Sequence, residues 1–338
     1  MKRLQTRNQL LNIVKGGFMA GLIGFTSVVY GFDLQGHRGA RGLMPENTLP
    51  GFAAALAIGV TTLELDLAVT GDSHVVVIHN PRFEPEIARH ANGEWLQQSS
   101  PSINSMNLET VKSYDVGRLN PAHKYARRYP EQLALDGIPV PTLAEVFELV
   151  NKSGNRSVRF NIEIKINPEE PQLTLPPKEF VEAVIKVIRC YKLQDRVALQ
   201  SFDWRVLREV QNLAPGIATS YLTADQRWLS NLQTGVPGPS PWLNGFDIDD
   251  FDGSAARAIK AAGGDIWSAY HKEIDADAIK VAHDLGLKVN VWTVNEASRM
   301  RKLIAMNVDG IITDYPDRLR RVVSDLGMPL PVATPVNY

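Results

Sequence analysis

Four short stretches carry ionisable side chains where apolar runs end. His37 and Arg38 adjoin in GHRGARG, Glu64 and Asp66 alternate in TLELDL, His79 closes HVVVIH, and Glu163 and Lys165 alternate in NIEIK. Each run is rich in β-branched and aliphatic residues, the composition of a strand. Period-two alternation places Glu64 and Asp66 on one strand face and Leu65 on the other; Glu163 and Lys165 likewise oppose Ile164. If both polar faces turn into one enclosed space, three carboxylates and a lysine share it. Burying carboxylates costs heavily unless they are paired or hold a cation. Two readings stand at this point. One is an oxygen-only metal site, which suits Ca²⁺ or Mg²⁺ rather than zinc. The other is a solvated strand face, or a Glu–Lys pair.

His37 and His79 are open in the same way. Each could be a satisfied histidine at a strand end, or the two could form an acid/base pair near neutral pH. Arg38 and Lys165 supply fixed positive charge suited to phosphate oxygens, or form ordinary salt bridges. No G-x-S-x-G, G-x-x-x-x-G-K-[ST] or H-E-x-x-H occurs, so no motif points to a serine nucleophile, a P-loop or a zincin site. A cation site, two histidines and two bases are the equipment for displacement at phosphorus.

Such residues need a scaffold that brings strand ends together. Strand-like runs recur at 33–36, 61–67, 74–79, 158–164, 196–201, 216–222, 245–249, 264–270, 287–293 and 309–313, with helical stretches between most of them. Strands alternating with helices predict βα units around a parallel sheet. So many units predict a distorted (β/α)₈ TIM barrel, whose catalytic residues come from the C-terminal ends of its strands. No G-x-G-x-x-G favours the dinucleotide-binding alternative. Ten runs exceed the eight a barrel needs, and GFDID at 245–249 is the first to set aside. Too few residues follow Leu67 before the third run for a crossover helix, so an extended return down the barrel is expected. Residues 80–140, polar and rich in proline and arginine, are expected as a small insertion over the barrel mouth.

The chain has 338 residues and a net charge of −1, with no basic run to suggest a nucleic-acid partner. Its only cysteine, Cys190, excludes an internal disulfide and is expected to be a buried or inert thiol in a helix. Residues 1–31 begin with Lys2, Arg3, Arg7 and Lys15, then run uncharged from Gly17 to Gly31. That is the pattern of an export signal, short for a membrane span, so a periplasmic or secreted protein is expected, membrane-anchored if the segment is retained. The barrel domain then covers 32–325, and the prolines of 326–338 suggest a loose tail.

HRG…PENT at 37–48, ELD at 64–66, VVVIH at 75–79, EIK at 163–165, QSF at 200–202, VWTVN at 291–295 and TDYP at 313–316 together resemble the glycerophosphodiester phosphodiesterases. These are barrel phosphodiesterases related to phosphatidylinositol-specific phospholipase C. The resemblance implies a divalent cation, Ca²⁺ or Mg²⁺, on Glu64, Asp66 and Glu163. It implies His37 and His79 as the acid/base pair, Arg38 and Lys165 near the phosphate, and Glu46 in support. Trp292 and Phe202 are expected against the glycerol or head group. The implied reaction splits a small glycerophosphodiester into sn-glycerol 3-phosphate and an alcohol, with no membrane contact required. Alternatives are phospholipase C- or D-like action on a phospholipid or lysophospholipid, and a non-catalytic phosphodiester-binding barrel. One residue departs from the family pattern: Asn80 stands where the family reads Asp after the second histidine.

Overall fold

In the computed structural model, residues 31–338 are described, and they form one compact unit. The export segment expected over 1–31 therefore lies, but for Gly31, outside the described residues. Among the described residues eleven strands occur: β1 (Asp33–Gly36), β2 (Thr62–Val69), β3 (Val75–Val77), β4 (Arg159–Ile164), β5 (Val197–Ser201), β6 (Ala218–Thr223), β7 (Asp225–Gln226), β8 (Leu229–Ser230), β9 (Ile266–Tyr270), β10 (Lys288–Trp292) and β11 (Gly310–Thr313). Eight of them pair in parallel in the order β1-β11-β10-β9-β6-β5-β4-β2, and β2 pairs back to β1. The parallel barrel is closed, as the sequence led us to expect.

Among the described residues nine α-helices accompany it: α1 (Leu49–Ile58), α2 (Leu108–Lys112), α3 (Leu143–Lys152), α4 (Pro177–Cys190), α5 (Trp204–Leu213), α6 (Ala255–Ala261), α7 (Ala276–Asp284), α8 (Ala297–Ala305) and α9 (Pro316–Asp325). Their starts are set by side chains that accept orphan backbone N–H groups. Thr48 caps α1, Thr142 and Glu145 form a reciprocal capping box on α3, and Asp203 and Asp275 cap α5 and α7. Along α4, Phe180, Val181, Val184, Ile185 and Ile188 repeat at helical spacing and are all buried. They belong to the same apolar cluster as Leu63, Leu65 and Leu67, the alternate residues of β2. Burying each such side chain contributes about 1.5–3 kcal/mol, and that outer layer fixes which face of β2 must look inward.

Two expectations need correction, while the run set aside at 245–249 does fall outside the barrel. Residues 245–249 are not a strand: Ile248–Phe251 form a short 3₁₀ turn, in a stretch where Asp247 and Asp249 satisfy nearby backbone N–H groups. The run at 74–79 is not a parallel stave either. β2 continues above the barrel and folds back, so β3 pairs antiparallel to it with Leu67 opposite Val77; the return is the third strand itself. Cys190 is exposed at the end of α4, not buried. The C-terminal tail has no regular structure yet is tied down, with Thr334 N donating to Leu56 O, Asn155 to Thr334 Oγ1 and Lys152 to Asn337 O.

Residues after β3 form a layer with its own apolar cluster, including Phe83, Ile87, Leu96, Ile103, Met106 and Val111. The layer reaches the loop after β1: Leu133 N donates to Leu43 O, and Gln132 to Arg41 O.

Candidate active site

The loop between β1 and α1 is where the site begins. Arg38 and Gly39 both have positive φ, 50° and 86°, a region unfavourable to an L side chain and free for glycine. This tight turn points the Arg38 backbone N–H at Glu64 Oε2, 2.8 Å away. A Cβ on Gly39 would lie 2.7 Å from the Gly51 carbonyl carbon, so this loop rests directly on the start of α1. Within the PENT segment, Thr48 Oγ1 donates to Pro45 O and caps α1, while Asn47 Nδ2 donates to Asp66 Oδ2 at 2.9 Å.

From the barrel wall come the carboxylates. Glu64 and Asp66 of β2 and Glu163 of β4 are all buried, and one oxygen from each lies within 4.8 Å of the others. Burial and then the neighbouring Asp66 push the Glu64 carboxyl well above its usual range. Glu163 is pushed up to about 7, burial again leading and Lys165 partly offsetting it. Asp66 goes the other way: burial opposes ionisation, but Lys165, His79 and Arg38 outweigh it and hold the group well down. Lys165 Nζ stands 2.7 Å from Glu163 Oε1 and 3.4 Å from Asp66 Oδ1, so the lysine does pair with these acids. Three converging acids exceed what one lysine neutralises, and an all-oxygen donor set matches a hard divalent cation. The residues fit such an ion.

His37 sits on the other side of Glu64, with Nε2 at 3.8 Å from Glu64 Oε2. Its Nδ1 meets Asp314 Oδ1 at 2.6 Å. Asp314, just past β11, also accepts from Arg41 Nε at 2.8 Å, Arg41 Nη2 at 3.2 Å and Asn295 Nδ2 at 2.7 Å. Burial opposes its charge, but Arg41 and His37 prevail and hold the carboxyl far below the usual range. An ionised carboxylate only accepts, so His37 Nδ1 carries the proton and Nε2 presents a lone pair. Burial, then Arg41, lowers the His37 pKa to about 4 against the opposing pull of Asp314.

His79 arrives from above, two residues past the descending β3, and is half-buried. Its Nδ1 meets Asn80 Oδ1, so the amide oxygen accepts where a carboxylate was expected from the family pattern. Burial, followed by Arg38 and Lys165, depresses the pKa well below the ordinary histidine value. Arg38 joins the two sides, its Nη1 donating to Glu46 Oε1 at 2.6 Å while Nε stands 3.3 Å from Asp66 Oδ2. Glu46 in turn accepts from Tyr125 of the overlying layer, whose hydroxyl also accepts from Arg41.

The structure therefore brings His37, Arg38, Glu46, Glu64, Asp66, Glu163 and Lys165 into one linked set, with His79 beside it. Phe202 and Trp292 lie apart from that polar set. Their ring centroids are 5.4 Å apart at 87°, although β6 and β9 stand between their strands, so both rings lean over the mouth. Sequence reasoning missed Arg41, Asn295 and Tyr125, and gave Gln200 and Asp314, noted at strand ends, no role. Asp314 had a signal, closing an apolar strand in TDYP. Arg41, four residues after His37, had a weak one. Tyr125 had none, because it reaches the site only through the folding of the overlying layer.

Comparison with known proteins agrees with this geometry. The profile of the glycerophosphoryl diester phosphodiesterase family matches residues 37–318. A glycerophosphodiester phosphodiesterase of Caldanaerobacter subterraneus is 30% identical over 287 residues, covering 85% of this chain and 96% of the relative. A crystal structure from Silicibacter pomeroyi, described as a candidate glycerophosphoryl diester phosphodiesterase, superposes with a TM-score of 0.78 at 37% identity, covering 88% of this chain and 95% of that one. An Oleispira antarctica phosphodiesterase, solved with its product sn-glycerol-3-phosphate, shares the fold at 21% identity and a TM-score of 0.62 over 86% of this chain and 96% of its own. By the span of the family match and the near end-to-end alignment with a relative, this chain belongs to the glycerophosphoryl diester phosphodiesterase family.

Proposed function

We propose that the protein hydrolyses glycerophosphodiesters to sn-glycerol 3-phosphate and a free alcohol. The observation that carries this reading is the pairing of two histidines, each held through Nδ1, around a cluster of three carboxylates flanked by Arg38 and Lys165. Held in that way, both rings offer Nε2 to substrate. Glu64, Asp66 and Glu163 would hold a divalent cation, for which Ca²⁺ and Mg²⁺ are the proposed occupants. When bound, such an ion supplies Lewis-acid polarisation of phosphoryl and hydroxyl oxygens.

The chain's own groups divide the remaining work. Arg38 and Lys165 face the phosphate and spread its negative charge. His37, backed by a carboxylate, is equipped to take a proton from the attacking oxygen, because Asp314 stabilises the imidazolium that forms. His79, backed by a neutral amide, gains no such stabilisation, so once its Nε2 has taken up a proton the imidazolium is a strong acid suited to donation to the leaving alkoxide. Asn80 keeps the orientation of His79 while withholding the charge, which supports turnover rather than a barrel that only binds. Glu46 and Tyr125 lock the Arg38 guanidinium. Export through residues 1–31 belongs to the same proposal; an intact N-terminus found only in the cytosolic fraction would overturn it.

The test is release of glycerol 3-phosphate from glycerophosphocholine, glycerophosphoethanolamine and glycerophosphoglycerol, with Ca²⁺, Mg²⁺ or EDTA. Release that needs a divalent ion and is lost in His37→Ala and Glu64→Gln supports the reading. No release from any diester with either ion, by folded protein, overturns it.

A further inference from the structure

The barrel mouth is chemically divided. Strands β1, β2, β4 and β11 deliver the histidine, carboxylates and bases described above. The other half, over β5, β6, β9 and β10, is aromatic. Trp292 and Tyr270 are register partners on neighbouring strands, so their side chains share a face. Their centroids are 5.4 Å apart, and Phe202 closes on Trp292 from across the mouth. A fourth ring comes from the β7–β8 hairpin, which follows β6 and carries Trp228 at its turn. Trp228 meets Tyr270 at 5.4 Å and 84°, and Trp292 at 6.0 Å and 79°. It remains 57% exposed, although a tryptophan so placed could bury more of itself in an apolar core. Exposure of so large a ring, fixed at the rim of a catalytic mouth, calls for a ligand.

Several polar groups around this wall are engaged by the fold itself. Glu273 accepts from Asp225 N and from Gln226 Nε2, anchoring the hairpin to the end of β9. Asp225 accepts from Ser230, and Trp292 Nε1 donates to Ser268 O. Around the hairpin and the end of β9 the charged side chains are Asp225, Arg227, Lys272 and Glu273, with Arg299 donating to His271 O just past β9. The wall thus offers π faces, with Trp228 nearly at right angles to both Tyr270 and Trp292, and its nearest carboxylates, Asp225 and Glu273, accept from the hairpin's own donors. A primary ammonium is strongly hydrated and needs three acceptors, which π faces do not supply. A quaternary ammonium has no N–H to satisfy and is bound well by aromatic faces.

We propose that Trp228, Tyr270 and Trp292 form a subsite for a quaternary ammonium group, making choline esters preferred substrates. The inference rests on the phosphodiesterase reading above and adds the identity of the alcohol. With the phosphate on the charged half, the trimethylammonium of glycerophosphocholine, two carbons from its ester oxygen, lies against the aromatic half. The subsite binds charge without changing any bond.

The test compares kcat/KM for glycerophosphocholine and glycerophosphoethanolamine in the wild type, Trp228→Ala and Trp228→Phe. A cation–π contribution of the usual size corresponds to roughly a 10-fold effect. The wild type is expected to favour the choline ester by about that factor. Trp228→Ala should lose most of that preference, chiefly through KM, with at most about a 2-fold change for the ethanolamine ester, and Trp228→Phe should restore part of it. Tetramethylammonium should inhibit the wild type competitively and Trp228→Ala about 10-fold more weakly. Equal use of both esters, or a preference that survives Trp228→Ala, overturns the proposal. An equal loss on lysophosphatidylcholine and lysophosphatidylethanolamine in Trp228→Ala also overturns it, because the wall would then be reading an acyl chain. Should neither diester be hydrolysed, the phosphodiesterase reading fails by itself, and quenching of tryptophan fluorescence by tetramethylammonium in wild type against Trp228→Ala still decides the subsite.

Discussion

Replacing Asp314 by asparagine keeps the shape of the side chain and removes its charge. The carboxylate receives four hydrogen bonds: one oxygen takes His37 Nδ1 and Arg41 Nε, the other takes Arg41 Nη2 and Asn295 Nδ2. An amide has one oxygen, so whichever way it turns, its NH₂ confronts two donors. Turned toward His37, the NH₂ forces the ring to accept at Nδ1 and carry its proton on Nε2, the wrong nitrogen for accepting one from substrate. In hydrolases whose histidine is held by a carboxylate, that tautomer change lowers kcat by about 10⁴, and we expect a loss between 10³ and 10⁴ with KM little changed. Arg41 loses its carboxylate partner in a buried setting, costing about 3 kcal/mol. For a chain of this size that is roughly 4–5 °C in melting temperature. The assay is steady-state release of glycerol 3-phosphate together with thermal unfolding, on Asp314→Asn, His37→Ala and the double variant. If Asp314 acts through His37, the double variant is no slower than His37→Ala alone. A folded Asp314→Asn within 3-fold of wild-type kcat, or losses that multiply in the double variant, would refute the reasoning.

Three further outcomes follow from other parts of the structure. Millimolar Ca²⁺ or Mg²⁺ should raise the melting temperature by several degrees, since about 2.7 kcal/mol accrues at a hundredfold excess over Kd; Glu64→Gln combined with Glu163→Gln should abolish the shift, and an undiminished shift would place the ion elsewhere. Asp115 is held below its usual pKa: burial opposes its charge, but the N–H groups of Gly137, Gly117 and Ile138 and the Arg89 guanidinium outweigh that. Its folded pKa lies below the unfolded one, so its contribution is complete above about pH 4 and fades as pH falls through the folded value. Asp115→Asn should therefore cost about 3 kcal/mol at pH 7, with the gap to wild type narrowing toward pH 3 in denaturant titrations; a gap independent of pH would contradict this. Gly39→Ala, with φ of 86° and a new Cβ 2.7 Å from the Gly51 backbone, should cost at least ~2 kcal/mol, and a cost under ~0.5 kcal/mol in the same titrations would show that the loop relaxes freely.

Much of this architecture was legible because it rests on local patterns. Alternation in TLELDL and NIEIK fixed which residues face inward, and the apolar partners Leu65 and Ile164 fixed which face outward. What escaped depends on contacts between distant segments. β3 carries the same aliphatic run whether it is a parallel stave or an antiparallel return, and only pairing with the overlong β2 distinguishes them. Below the carboxylates, Asn161 Nδ2 donates to both Gln35 and Gln200, and Gln200 Nε2 to Glu64 Oε1 at 2.9 Å. Barrel interiors are usually filled by branched apolar residues, so three amides in separate strands gave no warning that they form one chain of hydrogen bonds under the site. Phe202 and Trp292 could be seen to end their strands, but Trp228 could not be assigned to the mouth before its hairpin was seen.

The bond between His37 and Asp314 spans 277 residues of sequence. In chain order, the first element of the site emerges at the start of the barrel and its partner almost at the end. At ordinary ribosomal speeds of ~5–20 residues per second, roughly 15–55 s separate their synthesis. Until β11 has been made and docked beside β1, the barrel is open, His37 has no fixed tautomer and Arg41 has no carboxylate. A chain cut short before residue 310 could carry every cation ligand and both histidines and still lack a poised base. Completion of translation is in this sense the last step of assembling the catalyst, and incomplete chains are silent by construction.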